Sequence, residues 1–219
     1  MQYWSTGSRN PRAGPAQPEE SRLARTVDPA RHAARRLVIV DAALTCFARD
    51  GYEGTTTSAL CRQAGIGSGT FFHYFPAKVD VLLAILALGT AETREWFAAR
   101  SGRTDAAVVL DDWVAHTAAE MSDPRVAGFV RAVGAVMTRP EVTAALAEDQ
   151  AATRDGLLPH VRAAAAAGQV RSDLPPERVV AWVQALLDGY LGVMATSEAF
   201  DAQAEGVVLQ DAVRRLLRP

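Results

Sequence analysis

Residues 51–78, GYEGTTTSALCRQAGIGSGTFFHYFPAK, constrain this chain more than any other stretch. Their pattern predicts two short helices: one from about Thr56, whose hydroxyl can cap free N–H groups, to about Ala64, and one from Ser68 to Tyr74. Gly65 through Gly69 forms the turn between them, and Pro76 marks the end of the second. Upstream, Leu37, Val40, Leu44 and Phe47 lie at i, i+3, i+7 and i+10 on one face of a preceding helix. Asp50-Gly51 closes that helix, with Gly51 suited to the left-handed residue just past its end. Such a hairpin is the shape of a helix-turn-helix, whose second helix can enter a DNA groove.

Phe71 and Phe75, spaced i, i+4, are expected to face inward and hold the short helix on its neighbours. That leaves Ser68, Thr70, Phe72 and His73 facing out, with Tyr74 at the flank. Gly67 and Gly69 present no side chain, so backbone N–H groups at the helix start can approach a phosphate. His73 offers ring nitrogens to a base edge or phosphate, and Tyr74 a hydroxyl. Thr56 and Lys78 are placed to reach the sugar–phosphate backbone. Arg35 and Arg36, ahead of the hairpin, read either as an arm on DNA or as a solvated helix start. A hairpin that packs only internally has no need of outward His, Tyr, Thr and Lys beside bare glycines.

The remaining chain reads as helix throughout, and no run of alternating β-branched residues bounded by turns occurs, so the fold class is all-α. Expected helices span about Ala77–Arg100, Thr104–Met121, Pro124–Thr138, Pro140–Ala167, Pro176–Ser197 and Gln203–Leu217, with Pro159 kinking or splitting the fourth. Residues 1–30, rich in Pro, Gly, Ser, Gln and Arg, read as a disordered tail. The helix after Pro176 has two apolar stripes: Val179, Val183, Leu186, Tyr190 and Val193, and then Val180, Leu187, Leu191 and Met194. Both must be buried, one in its own domain and the other against a symmetry mate, or both in a monomer core.

The 219 residues carry a net charge of −2, unevenly spread. Residues 1–36 balance to +4, residues 37–80 to −1 and residues 81–219 to −5. Positive charge beside the hairpin suits a polyanion, while the acidic bulk argues against indiscriminate coating of DNA. The longest apolar run, Val81 to Leu88, is too short to span a bilayer, and no signal-peptide block is seen, so the expected location is cytoplasmic with no membrane partner. Cys46 and Cys61 have no partners at metal-ligand spacing and read as buried thiols, with a redox link as the alternative. No G-x-S-x-G elbow, phosphate-cradling loop, H-E-x-x-H or Cys/His cluster is present, so neither an enzyme nor a metal or other cofactor is expected.

Residues 51–78 resemble the DNA-binding signature of the TetR family of bacterial transcriptional regulators. That pattern runs G-Y-x-x-T-T-V-x-x-I-A-x-x-A-G-V-S-x-G-T-L-Y-x-Y-F-x-S-K-E. Gly51, Tyr52, Thr55, Thr56, Leu60, Ala64, Gly65, Ile66, Gly69, Thr70, Tyr74, Phe75 and Lys78 match it or replace it conservatively. Gly67 stands where the family usually has a Ser cap, and Phe72 where a Tyr hydroxyl commonly touches phosphate. Val79, Thr57 and Cys61 also depart from it. Gly168 to Arg171 and Asp188-Gly189-Tyr190 are similar to the family's run-in to its dimerisation helices.

The resemblance implies a DNA-binding domain over 31–78 and a helical effector-binding and dimerisation domain over 79–219. It implies a homodimer on a palindromic, double-stranded DNA operator, most often a repressor released by a small apolar or amphipathic effector. A DNA-binding architectural protein without small-molecule control is the alternative. The implied pocket is placed among Trp96, Trp113, Phe129, Met137 and Trp182, with His116 as either polar ligand contact or satisfied core histidine. The expected dimer interface combines Val180, Leu187, Leu191 and Met194 with Val213 and Leu216 on the last helix.

Overall fold

Asp28 caps the first helix, its carboxylate accepting the Ala30 N–H at 3.1 Å, and Pro29 follows where a missing N–H costs nothing. The computed structural model describes residues 28–219, and these form nine helices with no strand among them. They are α1 (Pro29–Gly54), α2 (Thr57–Ala64), α3 (Ser68–Tyr74), α4 (Lys78–Ala98), α5 (Ala106–Met121), α6 (Val126–Gly134), α7 (Pro140–Ala166), α8 (Pro176–Thr196) and α9 (Ala202–Leu217). Most of the expected tail lies outside the described residues, but Pro29 and Ala30 already belong to α1. At Gly51 the backbone of α1 breaks (φ 69°), where glycine alone escapes a steric penalty.

Two apolar clusters organise the helices. The first joins Ile39, Val40, Cys46 and Phe47 of α1 to Leu60, Phe71 and Phe75 of the hairpin and to Val81 and Leu82 of α4. It continues into Ala132 and Val133 of α6, Val136, and Val142 of α7, so the hairpin's core does not stop at residue 78. The second cluster gathers α5, α8, α9, the end of α4 and the second half of α7 around Trp113, Leu157, Val179 and Val183.

The two α8 stripes prove to be one wide arc. Val179, Val183 and Tyr190 of the first and Val180, Leu187 and Met194 of the second are all buried in the second cluster. Adjacent stripes lie only about 100° apart, and α6, α7 and α9 together cover both. α8 is long and apolar enough to cross a membrane, with mean hydropathy 1.4, but one wide face of it, including Val179, Val180, Val183 and Leu187, packs inside this domain. Gln184 and Asp188 interrupt its apolar sequence, so no long uninterrupted apolar run marks it. α7 passes through Pro159 as one helix, so the expected split is not seen.

α6 docks onto α1 unusually closely. A Cβ built on Gly128 would lie 2.1 Å from the Ala48 carbonyl oxygen, a backbone atom that no rotamer change can move aside. Beside it, Arg125 donates to Asp41 at 2.7 Å and to the Thr45 hydroxyl at 3.3 Å. Gly128→Ala is therefore expected to push α6 off α1 and lower unfolding stability by about 1–3 kcal/mol. Urea unfolding measures this, and an unchanged midpoint would show that the helices separate freely.

Candidate nucleic-acid interface and effector cavity

The hairpin is built from local devices. The Thr56 hydroxyl accepts the Ala59 N–H at 3.1 Å, and Gly65 ends α2 in the left-handed conformation (φ 63°). Gly67 starts α3 without a side-chain cap, and a Cβ at Gly67 or Gly69 would meet only open space. Phe71 and Phe75 are buried, as expected from their spacing. Ser68, Gly69, Thr70, Phe72 and His73 are exposed and Tyr74 is half-buried, so α3 presents the anticipated face. Phe72, 53% exposed, adds an apolar surface where a hydroxyl was expected in relatives of this type.

His32 is a member of this face that sequence reasoning missed. Its ring lies 4.4 Å from that of Tyr74 and 6.0 Å from that of His73. One turn on, the Arg36 guanidinium sits 5.2 Å from the Phe75 ring, while Arg35 is exposed. The i, i+4 spacing of His32 and Arg36 was the available signal.

Lys78 differs most from expectation. Its ammonium turns inward, donating to the carbonyls of Tyr52 at 2.6 Å and Thr55 at 3.0 Å. It also lies 4.2 Å from the centre of the Tyr52 ring, and burial lowers its pKa. Carbonyl oxygens at the C-terminal end of a helix carry partial negative charge and draw a cation, although that of Tyr52 also accepts the Thr55 N–H.

Of the expected pocket residues, Trp96, Trp113 and His116 meet in one ring cluster, with Trp113 5.0 Å from Trp96 and 5.9 Å from His116, and the other three stand apart. Phe129 packs with the hairpin's cluster, while Met137 and Trp182 are 52% and 53% exposed. Trp96 is sandwiched between His116, stacked at 5.6 Å, and the Arg100 guanidinium at 3.6 Å. His116 approaches Glu120 at 3.3 Å. Only Trp113 borders the cleft of about 350 Å³ that opens between α4, α5, α7 and α8. Polar residues from all four helices, such as Glu92, Thr117, Asp149 and Asp188, line much of it, where large aromatics were expected.

The dimer residues need a similar correction. Val180, Leu187, Met194 and Val213 are buried within the chain, Leu216 packs on the same core, and Leu191 borders the cleft. The outward side of α8 instead carries Trp182, Ala185, Gly189 and Val193, and on α9 Val207 and Val208 are 68% and 59% exposed.

The family described as "Bacterial regulatory proteins, tetR family" matches residues 39–85. The chain is 31% identical over 186 residues to HTH-type transcriptional repressor Rv1474c of Mycobacterium tuberculosis, covering 84% of this chain and 95% of that protein. Its fold is similar to that of a TetR regulator from Haloarcula marismortui, with a TM-score of 0.73 at 14% identity over 84% of this chain and 97% of that one. It is also similar to FadR of Bacillus subtilis, solved with stearoyl-CoA, with a TM-score of 0.68 at 18% identity over 81% of this chain and 96% of that one. The chain belongs to the TetR family. It is a transcriptional regulator with a DNA-binding helix-turn-helix.

Two substitutions separate structure from reading at this face. Lys78→Met is expected to cost about 2–3 kcal/mol of stability by removing two charge-assisted hydrogen bonds, and to leave the salt dependence of DNA binding unchanged. Unaltered stability with a salt slope lower by about one would instead put the ammonium on a phosphate. His73→Ala is expected to weaken operator binding by about 1–3 kcal/mol while random-sequence DNA loses less. Parallel titrations of the two DNAs read the difference, and equal losses would mean that His73 contacts no base.

Proposed function

We propose that the chain is a homodimeric repressor that reads a palindromic operator and is released by a small molecule held between α4, α5, α7 and α8. Ser68, Gly69, Thr70, Phe72, His73 and Tyr74 form the reading surface, with Thr56, Gly67, Arg35 and Arg36 at its edges. His32 orients the Tyr74 side. The observation that carries the reading is the course of α4. It begins at Lys78, clamped to the end of α1, and reaches the cleft at Gly89 and Glu92. Glu92 lies fourteen steps beyond Lys78, about 21 Å along one rigid helix. A ligand that shifts α4 at the cleft therefore shifts the anchor of the hairpin.

Support also comes from relatives. The mycobacterial protein is named a repressor, and the Bacillus regulator was solved with an acyl-CoA. A homodimer places two α3 helices about one DNA turn apart, and an effector that favours mis-spaced heads lowers affinity by its preference, typically about 1–3 kcal/mol. The outward side of α8, with Trp182, Ala185, Gly189 and Val193, is the apolar surface such a dimer would cover. A cytoplasmic location follows from this reading.

Footprinting on DNA flanking the chain's own gene is expected to protect a palindrome with half-sites about 34–36 Å apart. Protection without sequence preference would favour the architectural alternative. Trp182→Glu is expected to give monomers in sedimentation and to weaken operator binding by more than about tenfold. A variant that stays dimeric would move the interface elsewhere.

A further inference from the structure

The cleft between α4, α5, α7 and α8 carries a charge that its apolar floor does not explain. Buried Trp113 and Leu187 lie at its base, yet Glu92, Glu120, Asp149 and Asp188 border it and no lysine or arginine does. Glu92, Glu120 and Asp188 are exposed at its mouth, while half-buried Asp149 accepts the Thr90 hydroxyl at 3.0 Å. Arg94, the nearest guanidinium on α4, pairs with Glu148 at 2.9 Å. Among the described residues no three acidic, His or Cys side chains are placed to hold a metal ion. The charge is therefore spread over a small-molecule-sized space rather than focused on a point.

A second feature at the same place calls for a ligand. Trp113 is 3% exposed, and its indole N–H is buried without a hydrogen-bond partner; the buried Thr117 hydroxyl beside it has none either. Buried donors of this kind are costly unless something supplies an acceptor. Both residues border the cleft.

We infer that the cleft takes an amphipathic organic ammonium ion whose apolar body carries a hydrogen-bond acceptor for the Trp113 N–H. The inference rests on the effector reading above and names the class of molecule. The ammonium offsets the mutual repulsion of the four carboxylates, and the body covers Trp113 and Leu187. An acyl chain ending in phosphates or a carboxylate would meet like charge here.

Binding has a pH signature with a definite sign. Burial, above all, raises the pKa of Glu120, Asp149 and Asp188, with Asp149 also raising Asp188. Their negative charge is complete above those raised values and is lost as pH falls through them. His116 lies against Glu120 at 3.3 Å, and Glu92, Glu148 and Arg94 complete the charged groups around the site. Affinity for the ammonium ion thus falls as pH drops through those raised values.

Calorimetry on the full chain with three matched probes tests this: phenoxybutylamine, phenoxybutanol and phenoxybutyrate. The amine is expected to bind at least about tenfold more tightly than the alcohol, with the acid weakest. Asp149→Asn combined with Asp188→Asn should erase most of that preference while alcohol binding changes little, which also shows that the variant is folded. Trp113→Phe should weaken phenoxybutylamine more than phenylpentylamine, which lacks the ether oxygen. The inference is overturned if the three probes bind alike, if the acid binds best, if none binds, or if the double variant keeps its preference. Operator release is read separately. An amine that binds but leaves operator affinity unchanged sinks the effector reading and keeps the site. A neutral or anionic molecule that displaces the protein from DNA through this cleft does the reverse.

Discussion

Tyr52 is the point on which the DNA-binding head depends. Its ring stacks on Phe47 at 5.6 Å and receives the Lys78 ammonium at 4.2 Å and the Arg139 guanidinium at 5.0 Å. Its carbonyl accepts from Lys78, and its hydroxyl accepts from Arg139 at 3.3 Å. Three elements thus meet on one side chain: the end of α1, the start of α4 and the residue that opens α7. Thr55 secures the same turn from below, its hydroxyl donating to the carbonyls of Gly51 at 2.7 Å and Cys46 at 3.1 Å. The turn needs a positive φ at Gly51, and the hydrogen bonds hold a backbone that would otherwise fray.

From that junction the head's orientation follows. α2 and α3 pack on α1 through Leu60, Phe71 and Phe75, so their placement is inherited from α1. α1 in turn is gripped by α6 at Gly128 and by the Arg125–Asp41 pair. The second grip is a partly exposed ion pair and contributes little by itself. The close Gly128 contact is steric, has no soft response, and sets the distance. The head is therefore attached to the larger domain through α4, α6 and the start of α7, so its orientation follows their relative position.

The hairpin was legible because its determinants are local. A glycine that must have positive φ, a threonine that caps, and two phenylalanines one turn apart leave little freedom, and all behave in the structure as their spacing demands. What could not be read was direction over longer distances. The i, i+3, i+4 pattern of α8 marks which residues are apolar, but not how many neighbours surround the helix. With α6, α7 and α9 packed around it, the stripe assigned to a partner went into the chain's own core. The cleft was missed for the opposite reason. Its walls are polar residues that in sequence look like solvated surface, whereas the large aromatics chosen for it fill core or stand exposed. Lys78 was matched correctly to the family pattern, yet a pattern records position and not the direction of a side chain. In this chain the ammonium satisfies two carbonyls of its own fold.

This arrangement limits how an effector could act. A ligand moves an equilibrium only by the difference between its affinities for the two states. Tight binding to a cleft that keeps its shape would leave DNA affinity unchanged. The cleft is bordered by four helices, and of these α4 and α7 also reach the Tyr52 junction, through Lys78 and through Arg139. Carboxylates on α4, α7 and α8 repel one another across the gap, so the empty cleft favours their separation and a cation favours their approach. The energy available for turning the head is then electrostatic and enters through Glu92 on α4. On the proposed reading it would reach the head through Lys78, at the other end of that helix, which is held by the carbonyls of α1. Loosening that clamp should uncouple the two sites while leaving each able to bind, a loss of reciprocity that separates transmission from recognition.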